Sequence, residues 1–550
     1  MLTSHLSQFL RWRVPWIAII LLGGILSGCQ ISRQDPPARE SDRPNFVFIA
    51  VDDLNIYNTV QGSIPGNFLE KIYPDPKLRQ EVIQRLTPNL NRLAAQSLTF
   101  DRSYCASPLC GPSRTALMTG VPPHISGYYK HDQHFRGYET LTDVLTLPQH
   151  LKEQGYFTSG IGKVFHKGRS YLDRGIYSDW PDQVYSWTHW VESNVGTGPS
   201  KDAKTQVQET LSPYWNQQDL SAKSFTRFGI TNLPREESND YRNAKHIAEL
   251  LVHGKARITD VHNKPQTVHL PDDQPFFLAC GLFAPHLPWV VPQTFMDLFP
   301  QSEMAIDEAL LQWVIQDLED LSPTGQKVAL HSPFTELREY AVELAGSGAE
   351  LEAWKTVVQA YLATIAFSDA NIGELLLAVE QQPRRENTIV MLWSDHGYHM
   401  GDKNRKGKTT LWEASNRCNL IIQDPRRADT HAGQRTSALA SLQDLYPTIS
   451  ALAGLEIPAH VHGQDLSPLL DDPQTPWPHA VLNTYGAGNH ALRTDQFRYL
   501  RFNNGDQELY DLQQDPFEET NLAQDPAFQP TLEALDRQLN SKLAYTRSDI

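Results

Sequence analysis

Four short apolar runs constrain this chain more than any other feature: Phe46 to Val51, Phe157 to Ile161, Phe276 to Leu282 and Thr388 to Trp393. Each has strand length, and helical stretches separate them. This predicts an α/β fold, a large mixed, mostly parallel sheet flanked by helices. Each run is succeeded by polar residues: Asp52-Asp53 after the first, Lys163 and His166 after the second, His286 after the third and Asp395-His396 after the fourth. Ligands of open α/β sheets bind beyond the carboxyl ends of the strands, so the four clusters are expected to converge on one site.

Between the third and fourth runs, Leu362, Ile365, Ala366, Ile372, Leu376 and Val379 share one face of an amphipathic helix that ends before Pro383. Segments from about 187 to 271 and from about 302 to 348 are polar and irregular by comparison, and read as insertions that shape specificity. Prolines 473, 476 and 478 mark a break. Beyond it, Gln496 to Phe502 alternates like an antiparallel strand. The expected organisation is a catalytic domain over 45–475 and a smaller C-terminal α+β subdomain over 476–550.

The N-terminus reads as an export signal. Arg11 and Arg13 precede an apolar stretch too short to span a bilayer, closed by Leu26-Ser27-Gly28-Cys29. That ending resembles a bacterial lipobox, which implies cleavage after residue 28, a lipid on Cys29 and a tether over 29–44. The expected location is therefore periplasmic or cell-surface, membrane-anchored through that lipid. The 550 residues carry a net charge of −16, which argues against nucleic-acid binding, since tracking a phosphate backbone needs clustered cations. Five cysteines are too few for a disulfide scaffold of this size. Cys280, inside an apolar run, reads as a buried structural thiol.

Cys110 stands apart. In Cys110-Gly111-Pro112-Ser113-Arg114-Thr115, Pro112 suits the first turn of a helix, so Cys110 falls at a helix N-terminus. On its own this is a candidate low-pKa cysteine or an anion site. With Thr119-Gly120, the segment also resembles the signature of the type I, formylglycine-dependent sulfatases of the alkaline phosphatase superfamily. The resemblance runs from Pro44-Asn45-Phe46 to the tail motif Glu508-Leu509-Tyr510-Asp511-Leu512. Gly162 to His166, Ala284 to Pro288, Ser394 to Gly397 and Lys408 to Glu413 look most like the iduronate-2-sulfatase-like branch, with His396 where many sulfatases have Asn.

The resemblance implies a sulfatase acting on a sulfated carbohydrate, with a maturation enzyme oxidising Cys110 to formylglycine, whose hydrate is the nucleophile. It implies one Ca²⁺ held by Asp52, Asp53, Asp395, His396 and the modified Cys110. Arg114 and Lys163 would hold the formylglycine hydroxyls, His286 and Lys408 would assist the leaving group, and His166 would take the remaining hydroxyl proton. Lys408 is preferred to Lys403, Arg405 and Lys406 because Leu411-Trp412-Glu413 comes directly after it. His124, His131 and His134, with Tyr128 and Lys130, are candidates to line the pocket. Asp101, Arg102 and Tyr104 carry no signal that separates a site role from a structural one. A phosphonate or phosphodiester hydrolase of the same superfamily and a non-catalytic glycan-binding lipoprotein are the alternatives.

Overall fold

The structure is a computed structural model that describes residues 43–58, 60–166, 182–193, 207–210, 228–260 and 264–544. The export signal, Cys29 and the tether up to residue 42 lie outside the described residues.

All four apolar runs form strands of one nine-stranded sheet. Its strands are β1 (Asn45–Val51), β2 (Leu98–Tyr104), β3 (Phe157–Gly162), β4 (His189–Val191), β5 (Phe276–Leu282), β6 (Thr388–Ser394), β7 (Arg417–Cys418), β8 (Leu420–Gln423) and β9 (Gln434–Ser441). The order is β7-β2-β8-β6-β1-β5-β3-β4, with β9 beside β2. From β6 through β1, β5 and β3 to β4 every pairing is parallel, while β8 runs antiparallel to β6 and β2. The runs lack polar alternation because both faces are covered, as a parallel sheet requires. Val47, Ile49 and Val51 enter one core, and Phe46, Phe48 and Ala50 enter the other.

Helix α1 (Cys110–Thr119) lies in the second core, and helix α2 (Asn239–His253) packs in the first. Three helices, α3 (Glu308–Gln316), α4 (Pro323–Leu330) and α5 (Pro333–Ala345), occupy most of the segment read as irregular. That reading is corrected by their start signals: Asp307, Ser322 and Ser332 each accept a backbone N–H as N-caps, and Pro323 and Pro333 open helices rather than break them. The other supposed insertion also contributes to the core, since Ala244, Ile247, Leu250 and Leu251 of α2 are buried there.

Helix α6 (Ala349–Gln381) carries the apolar stripe read from the sequence and is buried through most of its length. At the C-terminus, β10 (Val481–Thr484), β11 (His490–Arg493), β12 (Phe497–Arg501) and β13 (Gln507–Asp511) form an antiparallel sheet in chain order, and helix α7 (Gln529–Leu543) packs on it. Arg498 in β12 is wholly buried yet satisfied, its guanidinium donating to the Leu411 carbonyl and to Glu413.

Candidate active site

The carboxyl ends of β1, β3, β5 and β6 bring the four polar clusters to the N-terminus of α1. Asp52 and Asp53 turn out of β1, Asp53 with a left-handed φ of 59° that a short polar side chain tolerates. Asp395 and His396 come directly after β6, and Lys163 directly after β3. Two strands approach closely to place Lys163: Gly162 pairs with Gly281, and a Cβ on Gly281 would lie 2.2 Å from the Lys163 carbonyl carbon.

Arg114, fully buried one turn into α1, ties the clusters together. Its Nε donates to Asp395 Oδ2 at 2.9 Å and its Nη2 to Asp52 Oδ1 at 3.2 Å, while Nη1 donates to the carbonyls of Val164 (3.0 Å) and Lys163. Lys163 Nζ pairs with Asp52 and Lys408 Nζ with Asp53, so three carboxylates face three cations. Burial alone would push Asp52 up; Lys163, His286 and Arg114 instead hold it well below the usual carboxylate range. Lys408 is held well above its ordinary value against its own burial, chiefly by Asp53.

Cys110 Sγ lies 2.9 Å from Lys408 Nζ and 3.3 Å from His396 Nε2. The thiol is not the low-pKa cysteine that its helix position suggests. Burial, with Asp52 alongside, pushes it up despite Lys163 and Lys408. The sulfur instead marks where five donor atoms meet: ligand atoms of Asp52, Asp53, Cys110, Asp395 and His396 all lie within 4.8 Å of one another. His396 Nδ1 donates to the Gly397 carbonyl at 2.9 Å, which leaves the Nε2 lone pair facing the carboxylates. Three carboxylates and an oriented imidazole nitrogen fit a divalent cation, and its charge would turn a balanced cluster into a cationic one.

His166 and His286 flank this centre. His286 donates through Nδ1 to the Leu287 carbonyl at 2.7 Å, and burial pushes it down to about 4. His166 Nδ1 is buried without a hydrogen bond, and burial also lowers that ring. Of the basic loop, Lys403 pairs with Asp317 at 2.7 Å and Arg405 donates to the Val328 carbonyl at 2.9 Å, whereas Lys408 reaches the site. His399 and Asp402 brace this strap: they pair through Nδ1, and His399 Nε2 accepts from the Thr410 hydroxyl at 2.7 Å.

From the sequence His131 is only a pocket candidate, yet it belongs to the centre. Its Nε2 accepts the Gly111 N–H at 2.8 Å, and its ring stacks on His166 at 3.8 Å. The one signal for it is Gly111 itself, where a Cβ would lie 2.5 Å from the His131 ring. Nothing in the sequence marks Tyr361 of α6, whose hydroxyl donates to the Asp53 carbonyl at 2.7 Å. His124 and His134 lie elsewhere, beside His490 and Phe135. Arg102 pairs with Asp495, Asp101 with Arg435, and Tyr104 donates to Glu413, all outside the cluster.

A family model described as "Sulfatase" matches residues 44–192 and 201–455, and one described as "N-sulphoglucosamine sulphohydrolase, C-terminal" matches 401–545. The chain is 32 % identical over 523 residues to a sulfatase of Formosa agariphila, covering 94 % of this chain and 90 % of that one. It is 23 % identical over 459 residues to human iduronate 2-sulfatase, covering 78 % and 71 %. It is also 25 % identical to an N-acetylglucosamine-6-O-sulfatase of Bacteroides thetaiotaomicron, covering 95 % and 89 %. Among solved structures, one in complex with its substrate D-glucosamine-2-N,6-O-disulfate aligns with a TM-score of 0.61 at 20 % identity, over 91 % of this chain and 97 % of that one. A phosphonate monoester hydrolase of Agrobacterium radiobacter aligns at 0.66 and 18 %, over 91 % and 95 %. The chain belongs to the sulfatase family, whose members hydrolyse sulfate esters.

Proposed function

We propose that this sulfatase removes sulfate from a sulfated carbohydrate, using formylglycine made from Cys110 by a maturation enzyme and one Ca²⁺. The observation that carries the reading is the convergence on Cys110 Sγ of three carboxylates, the His396 lone pair and the Lys408 ammonium. Asp52, Asp53, Asp395, His396 and residue 110 would hold the cation. Once in place, formylglycine supplies a hydrated aldehyde as nucleophile, and the cation polarises the sulfate and stabilises developing oxyanion charge.

The remaining chemistry falls to the side chains. Arg114 fixes Asp52 and Asp395 in place, and with Lys163 it keeps Asp52 ionised. Lys408, within hydrogen-bond distance of Cys110 Sγ, stabilises negative charge on the hydroxyl at position 110 and on the transferring sulfate. His286, its ring oriented by the Leu287 carbonyl through Nδ1, donates a proton from Nε2 to the leaving oxygen when it is in its imidazolium form. His166, with Nδ1 unbonded and its ring stacked on His131, accepts the proton that frees the product sulfate. Relatives named for iduronate and N-acetylglucosamine sulfates support a sugar substrate.

The test is mass spectrometry of the peptide containing residue 110 from native-host protein. Formylglycine supports the reading; an unmodified cysteine in fully active protein sinks it. The superfamily alternative, a phosphonate or phosphodiester hydrolase, shares the fold of the Agrobacterium enzyme, and matched sulfate and phosphorus esters decide between the two by relative rate. Export and anchoring through Cys29 belong to the same proposal. Loss of lipid labelling and of membrane association in Cys29→Ala is the expected result.

A further inference from the structure

A second cluster of basic side chains lies at the other end of the nucleophile helix. Cys110 opens α1 and Gly120 caps it, so the two ends stand about 15 Å apart at 1.5 Å per residue. Beyond Gly120, the single turn Pro123–Ser126, the loop 459–464, strand β10 and helix α7 enclose a cavity of ≈ 350 Å³. That volume falls within the range of about 300 to 1,000 Å³ usual for small-ligand pockets. His124, His462, His479 and Lys542 line it, and the ring of His490 stands edge-on to His124 at 6.4 Å.

Two of these groups lack partners. Both ring nitrogens of His124 are buried without a hydrogen bond. Among the described residues, Lys542 forms no ion pair, although it is half-buried and desolvation lowers its basicity against a weaker pull from Asp444. Asp444, the one carboxylate in the wall, is already committed: Oδ1 accepts the Gln464 N–H and Oδ2 the Ser441 N–H, each at 2.8 Å. In a chain of net charge −16, this wall sets one unpaired ammonium and three imidazoles, as N–H donors, against a single committed carboxylate around an open volume. The imidazoles do not gather as metal ligands. Among the described residues, the groups whose ligand atoms meet within 4.8 Å all include Cys110.

We infer that this cavity is a second, non-catalytic binding pocket for a tetrahedral oxyanion of the sulfate type, held by Lys542 and the His124 imidazole. An oxyanion offers only acceptors, matching a wall of N–H donors around one ammonium. The pocket stands on the cavity itself and not on what the Cys110 site hydrolyses. The same oxyanion chemistry could be free sulfate or the sulfate ester of a sugar.

Isothermal titration of the full chain with inorganic sulfate tests it, alongside Lys542→Met, His124→Phe and, to identify the catalytic component, Lys408→Ala. The expected result is two binding components in the wild type. One weakens in Lys408→Ala, and the other weakens at least tenfold in Lys542→Met and in His124→Phe. Lys542→Met, at the end of a half-exposed helix, keeps the test valid if His124→Phe fails to fold. No sulfate binding in the wild type, or isotherms of Lys542→Met that superimpose on it, overturns the proposal. Glucosamine 6-sulfate binding there more tightly than sulfate points to a sugar ester, and equal affinity to the free ion; either supports the pocket. Unsulfated glucosamine binding as well as its 6-sulfate overturns it.

Discussion

Arg114 is the residue on which the active-site charge balance depends, and replacing it gives a quantitative test. Arg114→Met keeps approximate length and removes the charge. Asp52 and Asp395 lose a buried partner, and the Val164 and Lys163 carbonyls lose a donor. Removing one member of a buried ion pair costs about 3 to 5 kcal/mol, because the other charge is left uncompensated. Lys163 still faces Asp52, so the expected loss is about 4 kcal/mol rather than twice that. A divalent cation held by the same carboxylates would replace part of the missing charge. At a hundred times its Kd, a ligand bound only by the folded state contributes about 2.7 kcal/mol. Thermal unfolding with added Ca²⁺ and with a chelator is the assay. The deficit of Arg114→Met should shrink in Ca²⁺, and Arg114→Lys, which keeps charge without the planar fork, should fall between the two. A loss below about 1 kcal/mol would refute the charge balance, and a wild type whose unfolding is indifferent to Ca²⁺ would refute the cation site.

The same geometry makes further outcomes checkable. If His399 and Asp402 act by holding the Lys408 strap, His399→Gln and Asp402→Asn should lower kcat in the wild type. Added to Lys408→Ala they should cost little more, and additive losses in that double-mutant cycle would dismiss the brace. Gly281→Ala should cost about 1 to 3 kcal/mol and disproportionately more activity, because its Cβ meets the Lys163 backbone; normal kcat would contradict this. Glu518 is buried and its carboxyl is pushed up to about 8, chiefly by burial. A raised acid holds its proton in the folded state after the unfolded chain has lost it, so stability falls as pH rises from about 5 to about 8. Urea midpoints across that window should fall less for Glu518→Gln than for the wild type, and parallel curves would disprove the assignment.

The sheet is legible in the sequence because its central strands are buried on both faces and so appear as unbroken apolar runs. The site is legible because each run ends on its own polar cluster. Short motifs around Cys110 and Asp395 point to the family before any geometry. Contacts made across the fold cannot be read this way. His131 reaches Gly111 from a loop twenty residues on, and Tyr361 reaches Asp53 from the middle of an apolar helix. Helices α3 to α5 escape for a different reason. The Ser-Pro starts of α4 and α5 look like loop signals until the N-cap bonds are seen, and the polar outer faces of these two helices mask the stripe.

Whether residue 110 is the nucleophile of sulfate-ester hydrolysis is tested most directly by the release of inorganic sulfate from a panel of defined sulfated oligosaccharides, comparing matured protein with Cys110→Ala. The expected result is turnover of at least one of these sugars by the mature protein and none above background by Cys110→Ala. Undiminished sulfate release by that variant would contradict a nucleophile at position 110.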